Sequence, residues 1–336
     1  MRIKLDLSSF EQFWHIVGIL ESSSNPSEDD WNKLFNTPGY NALIASEFNK
    51  DFFKQSFIAA FDPEKEETLE KLLEGKTSRY LKYYSQVKKD KKTYEKNVKL
   101  IEEKWKKIHE SIYARASAFL PYGESEENPT VSILVFDTDA RGYETIAIDA
   151  IFANRLEDFV SLAAHEVHHF YRNLLLEYDK EDIEEEDKDL IWVINQIHAE
   201  GIADHIDKGL FIYGGIETAF PKAYVKYYKE SVKRAPEIIK EINTLIENSI
   251  SNKLSNKELG LEIKKIVPLA GHPLGYYLAN IIIKNAHFDE LIRTVGNPFK
   301  FYELYNKAAK LDREKLSLFS DISLSLIEEL EKKYIK

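Results

Sequence analysis

Three of the chain's nine histidines fall within five residues of the stretch Ala163-Ala164-His165-Glu166-Val167-His168-His169-Phe170. His165-Glu166-x-x-His169 is a complete HExxH pattern. Residues four apart share a face of an α-helix, so the imidazoles of His165 and His169 can reach one zinc ion. Glu166 stands beside them, placed to take a proton from zinc-bound water. The chain has no cysteine, so a metal must rest on His, Asp or Glu, and no disulfide framework is possible.

On a helical wheel, His169 falls about 40° from His165 and Glu166 about 100° from it. Val160, Ala163, Val167, Phe170, Tyr171 and Leu174 cluster on the far side. The helix is expected to bury that back and turn its histidines toward a cleft. His168 lies on the other flank of the pair and reads as a packing or supporting histidine.

Catalytic zinc generally takes three protein ligands and leaves one position open. The best source of the third is His198-Ala199-Glu200-Gly201-Ile202-Ala203-Asp204. Glu200 and Asp204 are four apart and share a helical face, with Gly201 leaving room for another helix to approach. Glu200 is therefore the candidate third ligand. Asp204 is the candidate acceptor that holds a ligand imidazole in its metal-binding tautomer. Asp204 or His205 as third ligand is the nearest rival assignment.

The elements that must position these groups can be read from patterning. Residues 1–77 read as short helices, with a capping-box start at Ser8-Ser9-Phe10-Glu11 and another helix opening at Ser27-Glu28-Asp29-Asp30. Residues 78–120 read as one long helix. Its seam of Tyr84, Val87, Tyr94, Val98, Ile101, Trp105, Ile108 and Ile112 is interrupted at Lys91. Packing along its own protein is favoured over a coiled-coil dimer or a membrane surface. Pro121-Tyr122-Gly123 ends it, and 124–129 is a polar loop. Thr130–Phe136 and Thr145–Asp149 are the strand candidates, with a turn-like 137–144 between them. Tyr178–Asp189 is acidic and reads as a solvated loop and helix start. The helix with Glu200 spans 190–208. Helical segments follow, with breaks at Gly214-Gly215, Pro221, Pro236, Pro268, Gly271–Pro273 and Asn297-Pro298.

HExxH followed by a Glu-Gly-x-Ala-Asp helix resembles the gluzincin branch of zinc metallopeptidases, the group that includes thermolysin. The match is most similar to a bacterial group of zinc-dependent peptidases with an HExHH core and an EGxAD helix. The resemblance covers roughly 130–210. It implies His165, His169 and Glu200 as zinc ligands, Glu166 as general base, and Asp204 as the brace of the first histidine. It also implies a strand beside the zinc helix that pairs with extended substrate, for which 131–136 or 145–149 are candidates. Thirty residues, 170–199, separate His169 from Glu200, more than in the best-known members. The acidic Tyr178–Asp189 segment absorbs the excess as a loop. Such peptidases also need a donor for the oxyanion. His272, Tyr276 and Tyr277 are the candidates, a helix cap with core tyrosines being the competing reading.

The chain is 336 residues long, with a net charge of −11 and a hydrophobic share of 43%. That supports a large core and argues against nucleic acid as a partner. No stretch approaches eighteen uninterrupted apolar residues, and the N-terminal segment lacks a signal-peptide pattern. The expectation is a mainly α (α+β), zincin-like chain with a small antiparallel sheet before the zinc helix. It is read as one unit, 1–336, in which residues 1–123 are helical and residues 124–336 form the catalytic core. The expected activity is zinc (Zn2+)-dependent hydrolysis of a peptide or protein substrate in the cytoplasm, without nucleic acid or membrane. The alternative is an inactive helical interaction protein with a structural zinc site.

Overall fold

The computed structural model describes residues 3–65, 78–121, 127–213 and 218–335. Residues 122–126 of the expected loop, the division at 123/124, residues 66–77 and the Gly214-Gly215 break lie outside the described residues. The chain forms two compact units. One is Met1–Arg115 with Glu124–Phe170, and the other is Ala116–Gly123 with Tyr171–Lys336. The fold is mainly helical with one small sheet, as its patterning predicts.

The sheet of the first unit differs from the expected antiparallel one. Its strands are β1 (Lys4–Asp6), β2 (Thr130–Leu134), β3 (Ala140–Gly142) and β4 (Thr145–Asp149), in the order β1-β2-β4-β3. The β1–β2 and β2–β4 pairings are parallel, and only β3–β4 is antiparallel. The "turn" at 137–144 carries β3. β2 is paired on both sides and is buried at Val131, Ile133 and Leu134, which explains its continuous apolar run. β2 and β4 are both interior, so neither has a free edge for another strand.

Helices α1 (Ser8–Glu21), α2 (Glu28–Phe35), α3 (Pro38–Ser46) and α4 (Lys50–Phe61) fill the N-terminal region. The capping box of α2 forms between Ser27 and Asp30. That of α1 does not, because the Ser8 hydroxyl donates to Asp6 Oδ1 at 2.6 Å instead. The long helix α5 (Ser78–Ser117) buries Tyr84, Val87, Tyr94, Val98, Ile101, Ile108 and Ile112. Tyr84 meets Phe57 edge-on, its hydroxyl donates to the Phe136 carbonyl, and Tyr83 donates to Asp149 at 2.5 Å. The seam is thus filled by this chain's own residues. Where it breaks, the Lys91 ammonium sits 4.8 Å from the Trp14 ring.

The second unit is built around α7 (Lys188–Asp207) and α12 (His272–Lys284); the helix before α7, Leu156–Leu174, is α6. Between α7 and α12 lie α8 (Gly209–Tyr213), α9 (Lys222–Lys233), α10 (Ala235–Asn252) and α11 (Asn256–Ile266). α7 and α12 cross where Gly201 faces Gly275. A Cβ on Gly201 would lie 2.5 Å from the Gly275 carbonyl carbon, and one on Gly275 1.9 Å from the Ile197 carbonyl oxygen. α12 begins as expected at a Gly271 turn, where Gly271 has φ +102° and Pro273 occupies the first helical turn. One expectation fails in the acidic segment. Asp187 is buried, accepting from Tyr334 at 2.6 Å, Lys333 at 2.8 Å and Asn256 at 2.7 Å.

At the Gly201–Gly275 crossing the obstacle to a side chain is backbone, which cannot step aside. Gly275→Ala is therefore expected to lower unfolding free energy by roughly 2–4 kcal/mol, read from the urea midpoint. An unchanged midpoint would contradict this packing.

The His205 ring stacks on Tyr276 at 4.3 Å and lies 6.2 Å from Phe119. Although the residue as a whole is half-buried, its Nε2 is shut from solvent and has no hydrogen-bond partner among the described residues. Burial pushes its pKa down to about 4, against a weaker opposing pull from the Tyr276 backbone and Asp204. A depressed histidine stabilises the fold above its unfolded pKa and loses that contribution as pH falls toward the folded one. His205→Phe is thus expected to flatten the decline in stability between about pH 6.5 and 4, by roughly 1–3 kcal/mol. Parallel acid-unfolding curves for the two proteins check it.

Candidate metal centre

α6 carries the HExxH residues. His165 is buried at 3% exposure, His169 is half-buried, and their Nε2 atoms lie 3.0 Å apart. Two imidazoles on one tetrahedral zinc, with Zn–N near 2.0–2.1 Å, hold their nitrogens about 3.3 Å apart. The helix has thus already turned both rings onto one point. Val160, Ala163, Val167 and Tyr171 form the buried back, as expected, but Leu174 is exposed and Phe170 half-buried. His168 is fully buried.

Glu166 is also buried, at 7% exposure. Its carboxylate occupies the space above Gly142 on β3: a Cβ there would lie 2.5 Å from Glu166 Oε2. β3 pairs only with β4 among the described residues, so the sheet's edge runs beside the Glu166 carboxylate.

The second unit gathers Glu200, Asp204 and His272. Glu200 and Asp204 are one turn apart on α7, and His272 is the first residue of α12. The His272 Nδ1 lies 3.0 Å from both Asp204 carboxylate oxygens and 3.3 Å from Glu200 Oε2. One donor atom from each of the three residues falls within 4.8 Å of the others. Asp204 is fully buried and also accepts from the Tyr228 hydroxyl at 2.6 Å. Burial alone disfavours a charged His272. Asp204 and Glu200 outweigh it and raise the pKa.

Buried Lys208 completes this charge balance. It is ion-paired with Asp207 and lies 3.6 Å from Asp204 Oδ1. Burial works against its charge, yet Asp207 and Asp204 hold its pKa well above the usual lysine value. Tyr228 is likewise held protonated, first by burial and then by Asp204.

The tyrosines of α12 diverge. Tyr276 is buried against His205, Phe211 and Tyr228. Tyr277 turns to the main core, 6.3 Å from the Tyr305 ring. The structure therefore brings Glu200, Asp204 and His272 together, and sends Tyr277 elsewhere.

Sequence reasoning missed Gly142, Tyr228, Asp207, Lys208 and Arg172. Asp207 had a visible signal, since Glu200, Asp204 and Asp207 continue one face at four- and three-residue steps. Arg172, in the last turn of α6, is fully buried and donates to Asn195 Oδ1 at 2.7 Å and His198 Nδ1 at 3.0 Å. Burial pushes its pKa down to about 10. Nothing in its local pattern marked it as buried.

The converged imidazoles of the HExxH helix and the downstream His–carboxylate cluster are donors of the kind that hold a metal ion. Residues 31–314 match the family described as "Putative zinc dependent peptidase (DUF5700)", and the chain belongs to that family. No curated protein and no solved structure matches it. Zinc is the family's metal, and the donors fit it: imidazoles and carboxylates, with no thiolate.

Gly142→Ala tests the seat of Glu166. The atom in the way is the tip of the Glu166 side chain, so the carboxylate rather than the backbone must move. Hydrolysis is expected to fall about tenfold or more, with zinc content kept and the melting temperature shifted by only a few degrees. Full activity in that variant would show that Glu166 does not depend on this space.

Proposed function

We propose that this chain is a zinc metallopeptidase of gluzincin type, with His165, His169 and Glu200 as the protein ligands of one zinc ion. The observation that carries the reading is the pair of Nε2 atoms converged at 3.0 Å on a helix that also presents Glu166. Membership of a zinc-dependent peptidase family supports it. Glu200 is preferred as third ligand because His272 and Tyr228 hold the Asp204 carboxylate at 3.0 and 2.6 Å, closer than the 3.3 Å at which His272 approaches Glu200.

When bound, zinc supplies an acidified water and polarises the scissile carbonyl. Glu166 takes the proton from the attacking water and passes it to the leaving nitrogen, its carboxylate shielded from bulk solvent. His272, oriented through Nδ1 by Asp204, offers Nε2–H to the oxygen that gains negative charge. That requires the imidazolium, whose Nδ1–H the Asp204 carboxylate would hold. Tyr276 and Tyr277 are assigned no step in this scheme. The extended substrate pairs with the open edge of β3, in place of the interior strands β2 or β4. The substrate is a peptide or protein.

Glu166→Gln is expected to lower peptide hydrolysis by about 10²–10⁴-fold while stoichiometric zinc is retained. His165→Ala or Glu200→Ala is expected to lose the zinc itself, measured by elemental analysis. Wild-type cleavage by the Glu166 variant would refute the general base. Full zinc occupancy in Glu200→Ala would refute the third ligand.

A further inference from the structure

The long helix α5 carries a charge pattern that the proposed chemistry does not use. It holds twelve basic and five acidic residues, a net charge of +7 on a chain whose total is −11. Lys88, Lys92, Lys96, Lys99, Lys106 and Lys107 are all exposed. On a helical wheel they fall within an arc of about 100°, opposite the buried seam. None of the six is ion-paired among the described residues, although Glu95, Glu102 and Glu103 lie on the same helix. The stripe from Lys88 to Lys107 is about 28 Å long, the span of an extended segment of about eight or nine residues.

We propose that this lysine stripe is a docking face for an extended, acidic polypeptide segment, carried by the protein substrate away from the bond that is cut. The assignment to a substrate rests on the peptidase reading above. Charge complementarity names the occupant: a row of exposed lysines, none ion-paired among the described residues and with no acid inside its arc from Lys88 to Lys99, attracts carboxylates on an otherwise acidic chain and steers their approach. Two alternatives fit less well. No aromatic residue interleaves the lysines on this pole, as base stacking would need. The apolar face of α5 is buried in its own unit, which leaves nothing to enter a bilayer. The position also suits a substrate. Past the stripe, Arg115 holds Ser161 at 2.5 Å and Glu157 at 2.7 Å, and Ser161 is one turn before His165 on α6.

The test uses the full chain with Glu166→Gln, so that binding is read without cleavage. A labelled twelve-residue glutamate-rich peptide and its glutamine counterpart are titrated by fluorescence anisotropy at about 50 and about 300 mM salt. The acidic peptide is expected to bind at least tenfold tighter and to weaken with salt. The combined substitution Lys88→Gln, Lys92→Gln, Lys96→Gln and Lys99→Gln should remove that advantage with the melting temperature kept. In the active protein the same substitution should lower kcat/KM for a substrate with an acidic tract and leave a tract-free substrate unchanged. Equal binding of the two peptides, or an advantage that survives the substitution, would overturn the docking face. Tighter binding of duplex DNA or of phosphatidylserine vesicles than of the acidic peptide would overturn the choice of occupant. Salt-sensitive binding of the acidic peptide together with no cleavage of any peptide would sustain the docking face and sink the peptidase reading.

Discussion

The crossing of α7 and α12 is the contact on which the second unit depends. Gly201 and Gly275 let two helix backbones touch, and the touch fixes the register between them. Gly201 follows Glu200, and Gly275 lies three residues after His272. The same approach therefore delivers the His272 imidazole to the carboxylates of Asp204 and Glu200. A side-chain contact could creep by an ångström as its rotamers adjust; a backbone contact cannot. A hydrogen bond of 3.0 Å between residues 68 positions apart in sequence needs that kind of constraint.

Around this crossing the protein buries charge. Asp204, Asp207 and Lys208 are all shut from solvent, and each would be costly alone. Their mutual arrangement, with Tyr228 and His272 as further donors, keeps every member paired. Arg172 is handled differently, held by the side-chain oxygen of Asn195 and a ring nitrogen of His198. The result is a polar interior already oriented before any ligand arrives, which is the condition for electrostatic catalysis to act without reorganisation.

How much of this was legible depended on whether the relevant spacing lay within one element. The convergence of His165 and His169 follows from four-residue spacing alone, as does the shared face of Glu200 and Asp204. Gly201 beside a carboxylate predicted a close neighbour, and the α5 seam predicted a helix packed on its own chain. Relations between elements were not legible. Asp204 pairs with His272 and Tyr228, which stand on two other helices, and no periodicity in α7 names them. β1 is three residues long and finds its partner 126 residues away, so the sheet was read as an antiparallel pair. Gly142 looked like a turn residue, because only the folded sheet puts Glu166 over it.

The pairing of β1 with β2 also sets an order of events during synthesis. Lys4 has no strand to join until Thr130 has been made. At about 5–20 residues per second, that is a wait of roughly 6–25 seconds on the ribosome. Helices α1 to α5 emerge in the interval and can form locally, whereas the sheet can close only after β4 follows β2. The edge beside Glu166 is thus among the last regions of its unit to be completed, on a helical frame that is already there.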